Sequence, residues 1–334
     1  MEERMEILNG VRTKHDPRIR AQAPRRAFYC LLLTAYCSLL LPSAACAQRV
    51  TRADGLVTSA AAAASTRDDA RLLETGRAEN LSEAASAVAL PPEIKLVSYN
   101  MRWRGGEDLS ALVEALRGDA VIGGASVIGL QEADRHRARS GNVNTAKFIA
   151  DALGMHYAWA APPRAKDDAE TEDETGVALL SIYPLTDAER IVLPHTGPGG
   201  RKRVALGVTM HFDKTRSLRV YTVHAETRLA IARKTEQWRA VLDSLDAKHT
   251  KATRAVVLGD FNTIKDKDVR AARRLFADAN FSTPFPDDKP TWKTLFVKLK
   301  LDWLWLRGLD ATDHGIARHI KFSDHWPLWV KVKL

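Results

Sequence analysis

The sequence predicts an α/β protein, and three observations carry that prediction. Short runs of β-branched and aliphatic residues alternate along the chain with segments of helical periodicity. The runs are apolar almost throughout, as buried strands are. Several of them stop at polar residues, as Ala255 to Asn262 (AVVLGDFN) does at Asp260 and Asn262. With one residue between them at a strand end, the carboxylate and the amide can face one pocket. An Asx-turn, in which Asp260 accepts from nearby backbone N–H groups, is the alternative reading of that pair.

The elements follow in order. Residues 11–26 carry Arg12, Lys14, Arg18, Arg20, Arg25 and Arg26, and an almost uncharged run (FYCLLLTAYCSLLL) then leads to Ala45-Cys46-Ala47. A basic region, an apolar region and a small-residue exit make a secretory signal, with a twin-arginine character at Arg25-Arg26. An uncleaved membrane anchor is the alternative, and both place the body outside the cytoplasm. Residues 48–92 are rich in Ala, Ser, Arg and Asp, include the run Ala60 to Ala64 and lack aromatics. They are expected to form a flexible linker, with Pro91-Pro92 marking the start of a domain over 93–334.

Within the body, strands are expected at Ile94 to Tyr99, Ser126 to Leu130, Gly176 to Ile182, Val204 to Met210, Leu218 to Val223, Leu301 to Leu306 and Trp329 to Val332. Helices are expected at Leu109 to Leu116, Asn144 to Leu153 and Leu229 to Leu245. The acidic run Asp167 to Glu174 reads as a solvated loop. Thr196 to Arg203 (TGPGGRKR) is a Gly-rich basic loop, and without a following helix it is not a P-loop.

Composition narrows the chemistry. With 334 residues, 45% hydrophobic and 27% charged, the chain is that of a soluble globular protein. Residues 1–47 hold seven Lys and Arg against four Asp and Glu, so +6 of the formal +9 falls on the rest. A basic body favours polyanionic partners, whether nucleic acid, phospholipid surface or phosphorylated small molecule. All three cysteines lie in the first 46 residues. The body therefore has no disulfide framework, thiol nucleophile or Cys-ligated metal.

Asn100, Glu132, His224, Asp260 and Asn262 fall at or just beyond strands, and Asp324 and His325 fall just ahead of the last one. Carboxylates and amides suit a hard cation, hence Mg²⁺ or Mn²⁺. The two histidines, with Asp302 inside the apolar run LDWLWL, supply proton handling and charge stabilisation. Such a set suits metal-assisted attack of water on a phosphate ester.

The pieces SYNMR, GLQEAD, GVALLSIYPL, RVALGV, TVHAETR, VVLGDFN, LDWLWLRGL and SDHWPL occur in this order from Ile94 onward. In content and order the chain resembles the endonuclease/exonuclease/phosphatase (DNase I-like) superfamily. That resemblance implies a four-layer α/β sandwich of two packed mixed sheets flanked by helices. It implies that Asn100, Glu132 and Asp324 surround Mg²⁺, with Glu132 the principal ligand. Asp260 would orient and deprotonate the attacking water, and Asn262 would hold a phosphate oxygen. His325, positioned by Asp302, and His224 would stabilise phosphoryl charge. Two departures stand out: Val177 replaces a common Asn, and Ala225 follows His224 where Leu is common. Glu226 has no assigned part.

The reaction class is clearer than the substrate. An exported nuclease is expected, on the basic body and the loop Arg201-Lys202-Arg203. The alternatives are a sphingomyelinase-like phospholipid phosphodiesterase or a phosphomonoesterase, and a binding module without activity. No obligate protein partner is implied. No long exposed apolar hairpin is legible, although Trp292, Phe296, Trp303 and Trp305 are aromatic residues that a surface could present.

Overall fold

The computed structural model describes residues 71–81, 91–163, 173–213, 215–250 and 252–334. The signal or anchor segment, and the acidic run up to residue 172, lie outside them. A seven-stranded sheet has the order β1 (Leu73–Arg77), β4 (His156–Ala160), β5 (Glu174–Ser181), β3 (Val127–Arg135), β2 (Glu93–Asn100), β14 (Leu328–Lys333), β13 (Ala311–Ile316). A five-stranded sheet has the order β12 (Asp302–Arg307), β9 (Ala255–Asp260), β8 (Ser217–His224), β7 (Val204–His211), β6 (Leu185–Val192). Both sheets are mixed: β2 with β3 and β8 with β9 run parallel, and the other pairings are antiparallel. Each parallel pair needs a long crossover. Helix α1 (Gly106–Gly118) lies in the first, and helix α3 (Ile231–Lys248) in the second.

Alternate residues of the central strands face opposite layers. In β9, Val256 and Leu258 enter the core between the sheets, while Ala255 and Val257 face α3 and α4 (Asp266–Asp278). In β2, Leu96 enters the central core, while Val97 and Tyr99 pack with α1 and α2 (Thr145–Leu153). Burial on both faces explains the near-continuous apolar runs. The result is the expected four-layer sandwich, helices–sheet–sheet–helices. Trp303 and Trp305 are core: the rings stack at 4.7 Å, and Phe276 of α4 stacks on Trp305 at 4.7 Å.

One expectation is corrected, and one feature is added. The linker reading of 48–92 fails for its described part, because Leu73–Arg77 form an edge strand on β4. Glu74 ties it down, accepting from Tyr157 Oη at 2.7 Å, Asn144 Nδ2 at 2.9 Å and Arg135 Nη1 at 3.1 Å. No residue of LETGR is fully buried, so the segment lacks the apolar run that marks the central strands. An exposed apolar hairpin does exist. Trp292–Lys293 (β10) pairs with Lys298–Leu299 (β11), and Leu295 and Phe296 at its tip are 91% and 89% exposed. It is short and lysine-flanked, which hid it in the sequence.

Candidate active site

The site forms where strand ends from both sheets meet. Asp260 closes β9, and its register partners are His224 at the end of β8 and Asp302 at the start of β12. One backbone feature makes the corner. Gly259 has φ +131°, and a Cβ there would lie 2.1 Å from the Val223 carbonyl oxygen. Gly259→Ala is therefore expected to cost about 2–4 kcal/mol in urea denaturation at pH 7. An unchanged midpoint would show that the strand relaxes around the methyl group.

Glu132 reaches the site by a different device. The pairing of β3 with β5 slips between Gln131 and Ala133, and Glu132 takes φ +58°. The bulge re-aims its side chain out of the ladder. Arg102 and Trp103, just beyond β2, also have positive φ (51° and 46°). The turn is held by Arg102 N–H donating to Asn100 Oδ1 at 3.1 Å and Trp103 N–H to the Glu132 carbonyl at 3.1 Å.

Asn100 stands between two acids, its Nδ2 donating to Glu132 at 3.3 Å and to Asp260 Oδ2 at 3.2 Å. Asn262 N–H donates to Asp260 Oδ1 at 2.9 Å. Asn262 Nδ2 spends one N–H on the Ala225 carbonyl at 2.9 Å, and Lys234 holds the Asn262 carbonyl at 2.7 Å. His325 Nδ1 lies 2.9 Å from Asp302 Oδ2, and its Nε2 lies 3.8 Å from Asp260 Oδ2. His224 Nε2 approaches the same oxygen at 3.7 Å. Asp324 is held by Arg102 Nη1 at 3.2 Å and Ser323 Oγ at 3.2 Å. All the expected residues except Asn100 and Asp302, which lie behind them, line one cavity of about 240 Å³.

The titrations diverge. Burial, then the nearby Asp302, raises Asp260, against the opposing pull of His325, Asn262 and Asn100. Burial alone would lower His325, but the charge and hydrogen bond of Asp302, with Asp260 and Asp324, outweigh it and raise the imidazole. His224 is held well below the ordinary value by burial, then by Arg203, His325 and Arg201. Arg203 Nη1 stands 3.4 Å from His224 Nδ1. An arginine only donates, so Nδ1 accepts and the ring proton sits on Nε2, facing Asp260. One histidine is thus a neutral donor and the other a cation, and sites use such divergence to assign acid and base roles.

The donor chemistry fits a hard cation at Glu132. Among the described residues no ion pair reaches that carboxylate, whose recorded partner is the Asn100 amide. Asp324 lies in the same cavity. Asn100, with its Nδ2 toward both acids and its Oδ1 toward Arg102, ties Glu132 to Asp260. Asp260, Asp302 and His325 also cluster closely enough to hold an ion. There, however, both Asp302 oxygens already engage the His325 ring nitrogen, at 3.1 and 2.9 Å. A proton satisfies that trio without a metal.

Residues 97–325 match the model of the Endonuclease/Exonuclease/phosphatase family. The chain belongs to that family. Solved structures agree on the fold. An endonuclease/exonuclease/phosphatase from Beutenbergia cavernae is 17% identical, with 73% of this chain and 72% of that one covered, at TM-score 0.58. The human Nocturnin catalytic domain, with bound sulfate, is 18% identical over 74% and 96%, at 0.54. Sphingomyelinase C from Streptomyces griseocarneus is 16% identical over 72% and 99%, at 0.51. The comparison with curated proteins gives no match. Family members are generally hydrolytic phosphoesterases that depend on a divalent metal, and they act on phosphate esters.

Beyond the expected residues, this family member brings Arg102 and Arg203 to the cavity. A signal for Arg203 existed. Counting back from the turn between β7 and β8 pairs Val204 with His224, which puts Arg203 beside the histidine.

Proposed function

We propose that the protein is an exported phosphodiesterase that cleaves nucleic acid with the help of Mg²⁺ or Mn²⁺. The observation supporting the substrate is a second cavity of about 670 Å³ that shares Glu132, Arg203 and His224 with the first. It is lined by Arg139, Arg201, Lys202 and Arg203, by Trp103, by Glu174, and by Arg137 with Asp173, which pair at 3.2 Å. Cations beside an aromatic face suit a phosphate backbone with its bases.

Each side chain then has a task. Asp260, its ionised form destabilised by burial, takes the proton of the attacking water. Asn262 and the Nε2–H of His224 donate to phosphoryl oxygens. The His325 imidazolium, oriented by Asp302, balances the charge that grows in the transition state. Glu132 and Asp324 would hold the cation, with Asn100 fixing Glu132. When bound, the cation supplies Lewis-acid neutralisation of the phosphoryl or leaving oxygen.

The test is supercoiled plasmid with the purified full chain and Mg²⁺, then Mn²⁺, beside EDTA and Asp260→Ala controls. Nicking lost in both controls supports the proposal, and intact plasmid with both metals overturns it. The export half is tested by cell fractionation: protein retained in the cytoplasm would refute it.

A phospholipid diester is the second reading, favoured by the exposed Leu295–Phe296 tip. That hairpin is fastened to the site, because Lys293 N–H donates to the Asp324 carbonyl at 2.9 Å. Sphingomyelin vesicles hydrolysed by the native chain but not by Phe296→Ser, with plasmid untouched, would establish this reading in its place.

A further inference from the structure

We infer that the larger cavity is a subsite for a second phosphate of the substrate, and that Glu226 is the positioning residue that builds it. The inference rests on the nucleic-acid reading above and specifies what the substrate carries beside its scissile bond. The Glu226 side chain is fully buried. Its carboxylate accepts from Arg203 Nε at 3.0 Å and Arg228 N–H at 3.2 Å, and lies 3.4 Å from Arg201 Nη2. Gln237 Oε1 accepts the Glu226 N–H at 2.8 Å. The basic loop lies directly on this carboxylate, and a Cβ at Gly197 would come within 2.5 Å of Glu226 Cδ.

One buried carboxylate thus fixes two guanidinium groups and leaves one positive charge over. A second buried acid holds one arginine, with no charge left over. Asp134 accepts from Arg139 at 2.8 and 2.9 Å, with the Ser140 and Thr175 hydroxyls at 3.0 and 2.6 Å. It holds the Arg139 guanidinium 4.6 Å over the Trp103 ring. Both sets of arginines line the same cavity. Guanidinium groups held from behind lose little freedom on binding and offer their remaining N–H groups bidentately, which suits phosphate. Glu132, Arg203 and His224 belong to both cavities, so one substrate molecule can place its scissile phosphate in the first and a second phosphate in the larger. A nucleotide chain meets that requirement, and a phospholipid diester with a single phosphate does not.

Calorimetry on the full chain, without divalent cation, tests the inference with thymidine 3′,5′-bisphosphate and thymidine 5′-monophosphate as probes. The bisphosphate is expected to bind at least about tenfold more tightly. Glu226→Gln should reduce that preference to within about threefold. Arg201→Ala, at an exposed guanidinium, should do the same and serves if Glu226→Gln does not fold. Equal affinities in the native chain, or a preference that survives in every folded variant, overturns the subsite. Turnover decides the other question separately. A preference for the bisphosphate without plasmid nicking leaves the subsite standing and sinks the nuclease reading, whereas nicking with equal affinities does the reverse.

Discussion

Asp260→Asn is expected to lower phosphodiester hydrolysis by about 10³-fold, because it removes the buried carboxylate that both histidines approach. The same substitution has a signature in stability. Burial raises the Asp260 pKa in the folded protein above its unfolded value of about 3.9. For an acid shifted upward, ionisation favours the unfolded chain. The native protein therefore loses stability as pH rises from about 4 until the raised pKa is passed. An Asn does not titrate, so the melting temperature of the variant relative to the native chain should climb over that interval. Melting curves at several pH values check this, and a difference independent of pH would refute the raised pKa. The native pH–rate profile should show the same group, with an acid limb well above the ordinary carboxylate range.

Glu132→Gln is expected to abolish the response to divalent cation. In the native chain, millimolar Mg²⁺ or Mn²⁺ should raise the melting temperature, since a ligand bound only by the folded state stabilises it. In the variant the shift should vanish and hydrolysis should fall by about a thousandfold, the loss of several kcal/mol of charge stabilisation. Because Glu132 sits on a bulge among the described strands, the amide should fit without disturbing the ladder. A full Mg²⁺ shift in Glu132→Gln would remove Glu132 from the metal site and turn attention to Asp260, Asp302 and His325.

Much of this was legible in the sequence for a simple reason. β2, β3, β8, β9 and β12 are buried on both faces, so they read as apolar runs, and their polar ends stand out against them. His224, Asp260 and Asp302 could be picked out residue by residue, and strand register then placed them side by side. The half-exposed strand β6 and the exposed β13 have no such contrast and leave no mark in the sequence. The Glu132 bulge was hidden as well, because a one-residue slip leaves no mark in composition. The part played by Glu226 is not legible from its own segment, since its partners Arg201 and Arg203 lie on a separate loop.

The first strand carries a practical consequence. A chain trimmed to begin at Glu93 would keep every residue of the proposed site and still lose β1. The backbone of β4 would then offer an open hydrogen-bonding edge, and Arg135, Asn144 and Tyr157 would lose the Glu74 carboxylate. Unprotected edges recruit further strands. Such a fragment is expected to self-associate more than the native chain, which size-exclusion chromatography checks, and inactivity in that state would say nothing about the chemistry.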